Sequence, residues 1–259
     1  MKKVLITGAT RGLGKSLSNF LLEKGFYIYG TTRNLKLTQK RKQFELSYLD
    51  LSKPLSIDSY VDSLCQSSVL IDALIHNAGI AYLDPTDILG EDEVRYMFDV
   101  NFFGPVYLTK KLLPLLKKNG AGKLIFISSI VSIDPWPHLG AYSASKAALE
   151  AVAFEWAVLL KRWNISVSVI QPNPLPTDMS ILRSKNAVNS PYRELTDRDL
   201  KWESIDDVCE VIFKILTHHA PQFMYQTGPH SKETADIFLK KNAKQKSLVK
   251  HQNAYYNIP

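Results

Sequence analysis

The chain has 259 residues, 45% of them hydrophobic, and a formal net charge of +7. That is enough for one sizeable core, while no run reaches the ~18 apolar residues of a membrane-spanning helix. The two cysteines, Cys65 and Cys209, lie far apart without Cys-x-x-Cys or Cys/His spacing, which argues against a disulfide framework and any metal site and for a reducing, cytoplasmic setting.

In chain order, short β-rich runs alternate with segments of helical periodicity, the pattern of a parallel sheet covered on both faces. The opening MKKVLITGATRG has too few apolar residues for a signal peptide and starts with a strand, VLITG from Val4. Leu13, Leu17, Phe20 and Leu21 then recur at helical spacing, Lys24 and Gly25 close that helix, and FYIYGTT from Phe26 completes a βαβ unit. FELSYLDL from Phe44 is the third strand. Pro54 starts a helix carrying Ile57, Tyr60, Val61 and Leu64, ahead of the fourth strand, DALIHNAG from Asp72. KLIFISS from Lys123, ISVSVIQ from Ile165 and QFMYQTG from Gln222 make seven. The fold expected is α/β, a doubly wound, seven-stranded parallel sheet with helices on both faces, Rossmann-like. A single domain over residues 1–259 is expected, with a substrate loop at about 178–203 and a basic tail at about 240–259.

Up to Lys42 the chain holds ten Lys or Arg against one acid, Glu23. These charges fall among glycines and strand ends without interleaved aromatics, which points to a small polyphosphate ligand rather than nucleic acid. The tail lysines Lys240, Lys241, Lys244, Lys246 and Lys250 read as a solvated helix end. In TGATRGLG, Gly8, Gly12 and Gly14 sit in a strand-to-helix turn. There backbone amides can approach a pyrophosphate and the helix N-terminus favours its charge. A dinucleotide is the natural ligand. NAD binders carry an acid about 20 residues past the glycines for the ribose 2′-hydroxyl. Here no Asp or Glu occurs from Lys24 to Phe44, and Arg11 and Arg33 stand where a 2′-phosphate would be gripped, so NADP(H) is expected before NAD(H).

TGATRGLG, HNAGI from His76, DVNFFG from Asp99, ISS from Ile127 and AYSASK from Ala141 together resemble the short-chain dehydrogenase/reductase family in its compact single-domain form. The motifs occur in the family's order and spacing over residues 1 to about 178. The resemblance implies coenzyme contacts at Gly8, Thr10, Arg11, Gly12, Leu13 and Gly14. It implies more at Arg33, at Asp50 and Leu51, at Asn77 to Gly79, and at Pro172, Leu175 and Thr177. Asp50 reads equally as a strand-end turn residue. His76 replaces the family's first asparagine and reads as structural. Asn173 replaces a family glycine, and asparagine is among the residues that best tolerate left-handed backbone.

The chemistry has a physical logic. Hydride transfer to a ketone leaves an alkoxide that needs a proton, and the Tyr142 phenol can give it. Lys146, one helical turn on, projects from the same face and is placed to lower the phenol's pKa and to hydrogen-bond the coenzyme ribose. Ser129, at the C-terminal end of a strand, is expected to orient the substrate oxygen, and Ser128 to point the other way. By resemblance, Asn101 lies within a long helix and holds a relay water. Pro105 four residues on removes the N–H that Asn101's carbonyl would otherwise accept.

Asp134 to Leu139, stiffened by Pro135 and Pro137, is expected to edge the active site, with Trp136 and His138 as substrate contacts. Met179, Ile181 and Leu182 add apolar character suited to a lipophilic alcohol or ketone. Trp136 reads alternatively as a subunit contact, and Arg183, Lys185 and Arg193 either receive an acidic substrate or are solvated. The helix from Tyr142 to Trp163 is apolar around most of its circumference (Ala147, Leu149, Val152, Phe154, Trp156, Val158, Leu159). One sheet cannot cover all of these, so a homodimer or homotetramer is expected. The reading is an NADP(H)-dependent oxidoreductase acting on an alcohol or carbonyl. The alternative is a dinucleotide-binding regulatory or assembly protein on the same fold. A nucleotide-sugar epimerase is opposed by the glycine spacing and the short C-terminal region.

Overall fold

The structure, a computed structural model, describes residues 1–67, 69–177, 180–182, 184 and 202–241. The first half runs β1 (Lys3–Ile6), α1 (Gly12–Glu23), β2 (Tyr27–Thr32), β3 (Gln39–Arg41), β4 (Phe44–Tyr48), α2 (Pro54–Gln66), β5 (Ala73–His76) and β6 (Ile80–Tyr82). The second runs α3 (Glu91–Phe98), α4 (Gly104–Lys118), β7 (Gly122–Ile127), α5 (Gly140–Leu159), β8 (Ile165–Gln171), β9 (Ser180–Leu182), α6 (Ile205–Thr217), β10 (Met224–Gln226) and α7 (Pro229–Lys241).

Alternation along the strands produces two cores. Val4 and Ile6 of β1, Ala73 and Ile75 of β5, and Ile125 of β7 pack with α1 and α6 on one face. Their neighbours Leu5, Leu74, Leu124 and Phe126 pack with α2, α4 and α5 on the other. Successive side chains leave a strand on opposite faces, so an uninterrupted apolar run is what a strand covered twice requires. Phe126 is fully buried, stacked on His76 on one side and Trp156 on the other. Truncating such a residue to alanine typically costs about 3–5 kcal/mol.

The sheet order is β10-β8-β7-β5-β1-β2-β4-β3. Chain direction across the sheet reverses between β1 and β5, and the crevice beyond their carboxyl ends is where ligands bind in open α/β sheets. The seven expected strands are present and parallel; the eighth, β3, pairs antiparallel with β4 at the edge. Its Gln39-Lys40-Arg41 is wholly exposed and shows no apolar alternation. Charge of this kind protects an edge from further pairing and also hides the strand from pattern reading. A second small sheet, β6 with β9, lies outside the main one. Residues 178, 179, 183, 185–201 and 242–259 lie outside the described residues, and with them Met179, Arg183, Lys185 and Arg193, most of the expected substrate loop and nearly all of the basic tail.

Between α3 and α4 the helix widens into a π-helical turn, Asp99–Phe103, where the Gly104 N–H bonds the Asp99 carbonyl five residues back. The long helix expected around Asn101 therefore exists with a bulge at that point. Pro105 supplies the reason, having no N–H to continue the regular ladder.

Candidate active site

Beyond the carboxyl ends of β1, β2, β5, β7 and β8 opens a cavity of about 1020 Å³. At its base the glycine turn leaves β1. Gly8 and Gly12 hold left-handed backbone, at φ +70 and +48, which glycine adopts without strain. A Cβ on Gly14 would lie 2.1 Å from the Gly8 carbonyl oxygen, and one on Gly12 2.9 Å from Thr177. Arg11 precedes α1 without a side-chain cap, and the first turn of α1 has no acid, so the helix start suits an outside anion. This cradle fits a dinucleotide's pyrophosphate.

The turn is fastened to the end of β5. Thr7 Oγ1 accepts from the backbone N–H of Asn77 and of Ala78, each at 3.0 Å, and Asn77 Nδ2 donates to the carbonyls of Thr7 and Gly8. Asn77, Ala78 and Gly79 thus line the cavity beside Gly8, Thr10, Gly12, Leu13 and Gly14. Arg11 and Arg33, both exposed, also line the cavity, as do Asp50 and Leu51. Arg33 donates to the Tyr96 hydroxyl, and Asp50 accepts from the Ser52 N–H and hydroxyl, a turn-forming role that both readings of Asp50 allow.

At the other end Ser129, Tyr142 and Lys146 converge. Ser129 leaves β7 in extended conformation (φ −162) and begins a short 3₁₀ turn, Ile130–Ser132; its Oγ accepts from the Val131 N–H at 3.4 Å and lies near Tyr142. Tyr142, 7% exposed, and Lys146, 4% exposed, rise from the first turns of α5, with the ammonium 5.7 Å from the phenol ring centre. Lys146 Nζ donates to the Ile127 carbonyl at 2.9 Å. Burial draws Lys146 down to about 8, with Glu150 acting in the opposite direction. The lowered phenol expected from the lysine is not what the site shows. Burial pushes Tyr142 up to about 12, with the neighbouring Ser129 acting in the opposite direction. The phenol therefore keeps its proton at neutral pH, the form a proton donor needs.

Asn101 lies behind this group. Its Oδ1 accepts from the Ile80 N–H and its Nδ2 donates to the Ile80 carbonyl, both at 2.9 Å, and also to Ser145 Oγ at 3.1 Å. The side chain is thus committed to β6 and α5, and Pro105, four residues on, has no N–H to offer the Asn101 carbonyl. His76 is buried, its Nε2 2.7 Å from Thr109 Oγ1, and desolvation with the nearby Lys146 charge holds it down at about 3. It is neutral and packed, as a structural residue would be.

Pro172, Asn173, Leu175 and Thr177 form one wall. Asn173 does not adopt the left-handed backbone for which asparagine is suited, and its N–H donates to Glu203 Oε2 at 3.2 Å. Across the cavity are Trp136, Pro137, His138 and Leu139, where His138 is buried and left-handed at φ +66. Leu83, Val131 and Trp202 also line it, and sequence reading assigned them nothing. Thr7 and Glu150 escaped as well, although an acid four residues beyond Lys146 on the same helix was a visible signal.

A profile of the family described as short chain dehydrogenase matches residues 2–187. The chain belongs to this family. It is a family of oxidoreductases. The chain is 30% identical to a 3-ketodihydrosphingosine reductase of Bacteroides thetaiotaomicron, over 87% of each chain. It is 31% identical to an NADPH-dependent 3-dehydrocapnine reductase of Ornithobacterium rhinotracheale, over 83% of this chain and 79% of the relative. In fold it is similar to a short-chain dehydrogenase from Streptomyces avermitilis (TM-score 0.83, 23% identity, all of both chains covered). Solved structures of similar fold hold NADP in one case and NADH in another. Among the described residues no helix is long and apolar enough to cross a membrane.

Proposed function

We propose that this short-chain dehydrogenase is an NADP(H)-dependent carbonyl reductase acting on a lipophilic ketone. The observation that carries the proposal is the buried, protonated Tyr142 phenol at the cavity wall, beside Ser129 and backed by the Lys146 ammonium. The coenzyme supplies the hydride. Ser129 and Tyr142 hold the substrate oxygen, and Tyr142 delivers the proton that the alkoxide takes up. Lys146 holds positive charge beside the phenolate that forms and so favours the transfer; it also stands where the coenzyme ribose would lie. The Asn101 carbonyl holds the water that returns a proton to Lys146.

Arg11 and Arg33, with no acid in the loop that follows, support the phosphorylated coenzyme. The apolar walls at Trp136, Leu139, Val131 and Leu83 support a lipophilic substrate, and the ketones in the names of the two reductases make 3-ketodihydrosphingosine the first compound to try. Exposed Leu159 and partly buried Phe154 on α5 support a homodimer or homotetramer, in a cytoplasmic setting. The test is NADPH consumption with a panel of ketones, comparing wild type with Tyr142→Phe, where loss of the general acid is expected to lower kcat by about 10²–10⁴. NADPH binding without reduction of any ketone would favour the regulatory alternative, and full activity in the variant would sink the mechanism.

A further inference from the structure

Glu150 is the charged side chain near the catalytic group that the mechanism above leaves unused. It lies on α5 one turn beyond Lys146, partly buried, and faces the sheet rather than the solvent. Its Oε1 accepts from the Ser128 hydroxyl, from the Ser132 hydroxyl at 2.6 Å and from Gln171 Nε2 at 3.0 Å; its Oε2 accepts from the same Gln171 nitrogen at 3.0 Å. Ser132 Oγ also lies 2.7 Å from the Ser129 carbonyl. Gln171 Oε1 in turn accepts from Gln226 Nε2 at 2.8 Å, so the network runs on to β10. The two serines bracket Ser129 on either side.

We propose that Glu150 is a positioning residue of the catalytic centre. Its carboxylate clamps the Ser128–Ser132 turn, which presents Ser129, against the helix that presents Tyr142 and Lys146. Ser129 reaches the cavity from the end of β7, and Tyr142 from a different element. The clamp adds polar ties to the apolar packing of Ile130 and Val131 on Ala141 and Tyr142 and to the Lys146 contact with Ile127. A carboxylate suits the post because every group around it donates. Ser128, Ser132 and Gln171 supply three donors to one acceptor, and no neutral side chain of that length presents two equivalent acceptor oxygens.

The same carboxylate acts on Lys146 through space. The groups facing Lys146 are Tyr142 and Glu150 on its own helix, His76 at the end of β5 and Asn101 from the π-helical turn. His76 is neutral and Asn101 uncharged, so Glu150 is the opposing charge that helps the ammonium keep its proton. This second effect separates a positioning role from mere packing, because only the former moves a pH profile.

The inference rests on the carbonyl-reductase reading, and the measurements keep the two apart. Glu150→Gln and Glu150→Ala are compared with wild type in ketone reduction, direct NADPH binding and kcat against pH. Misplacement of reacting groups by a fraction of an ångström to an ångström is expected to lower kcat by about 10–100-fold, with NADPH affinity unchanged. The alkaline limb of the profile is expected to fall by about half a pH unit, since Lys146 loses its proton sooner. Combining Glu150→Gln with Gln171→Glu re-creates the donor and acceptor match with the charge on the strand and is expected to recover much of the lost kcat. If the Glu150 variants do not fold, Ser128→Ala with Ser132→Ala removes two of the donors more gently and is read the same way. Folded variants with wild-type kcat and an unmoved pH profile overturn the inference alone. A wild-type protein that binds NADPH but reduces no ketone overturns the functional reading and this inference with it.

Discussion

The two ends of the cavity are built by different means. The coenzyme end is made of backbone: Gly8, Gly12 and Gly14 let the chain pass where a Cβ would collide, and Thr7 ties the turn to Asn77 and Ala78. The chemical end is made of side chains from the end of β7, from α5 and from the π-helical turn, buried or partly buried and held by one another. A backbone site tolerates no added atom, whereas a side-chain site tolerates change until a partner in its network is lost. The difference predicts how each end fails.

The largest effect is expected from Gly14→Val. The new Cβ would sit 2.1 Å from the Gly8 oxygen and about as close to the Asn77 amide nitrogen, 2.5 Å. Relief requires the turn itself to open, costing about 1–3 kcal/mol of stability together with the coenzyme site. Thermal unfolding and NADPH binding should both drop, while the near-ultraviolet signature of the opposite core persists; intact binding in the variant would show the cradle to be adaptable.

At the chemical end, His76 tests how dry the side-chain network is. Its pKa falls from 6.5 to about 3 on folding, so the folded state excludes a proton that the unfolded chain binds. The stability from this group is complete above pH 6.5 and is lost progressively as pH falls toward 3, at up to about 1.4 kcal/mol per pH unit. Urea unfolding of His76→Asn between pH 7 and 4 should therefore show a shallower acid slope than wild type, whatever its stability at pH 7. Parallel slopes would mean that the imidazole is protonated in the folded protein.

The smallest effect is expected at the rim. Arg33→Ala should weaken NADPH binding about tenfold, roughly 1.4 kcal/mol, and leave NADH binding nearly unchanged. Equal losses for both coenzymes would remove the argument for the phosphorylated one and would make Arg33 a general part of the coenzyme wall.

Legibility followed the same division. The glycine turn, the βαβ unit and the seven parallel strands could be read because each is a local rule: a glycine spacing, a helical period, an apolar run. Tyr142 and Lys146 were readable for the same reason, being one turn apart on one helix. What escaped was non-local or unpatterned. Strand β3 is a polar edge with no alternation, and Glu150 meets Ser128 and Gln171 across 22 and 21 residues of chain. The Asn173 partner could not be read either, because Glu203 lies thirty residues away.

The amino-acid sequence by itself determined the doubly wound sheet, the site of the glycine cradle and the Tyr-Lys pair, since these depend on periodicity and on short covalent spacing. Tertiary structure alone decided the protonation of the pair. The phenol is pushed up and the ammonium pulled down because folding strips both of water, and desolvation is set by everything packed around a group rather than by its neighbours in the chain.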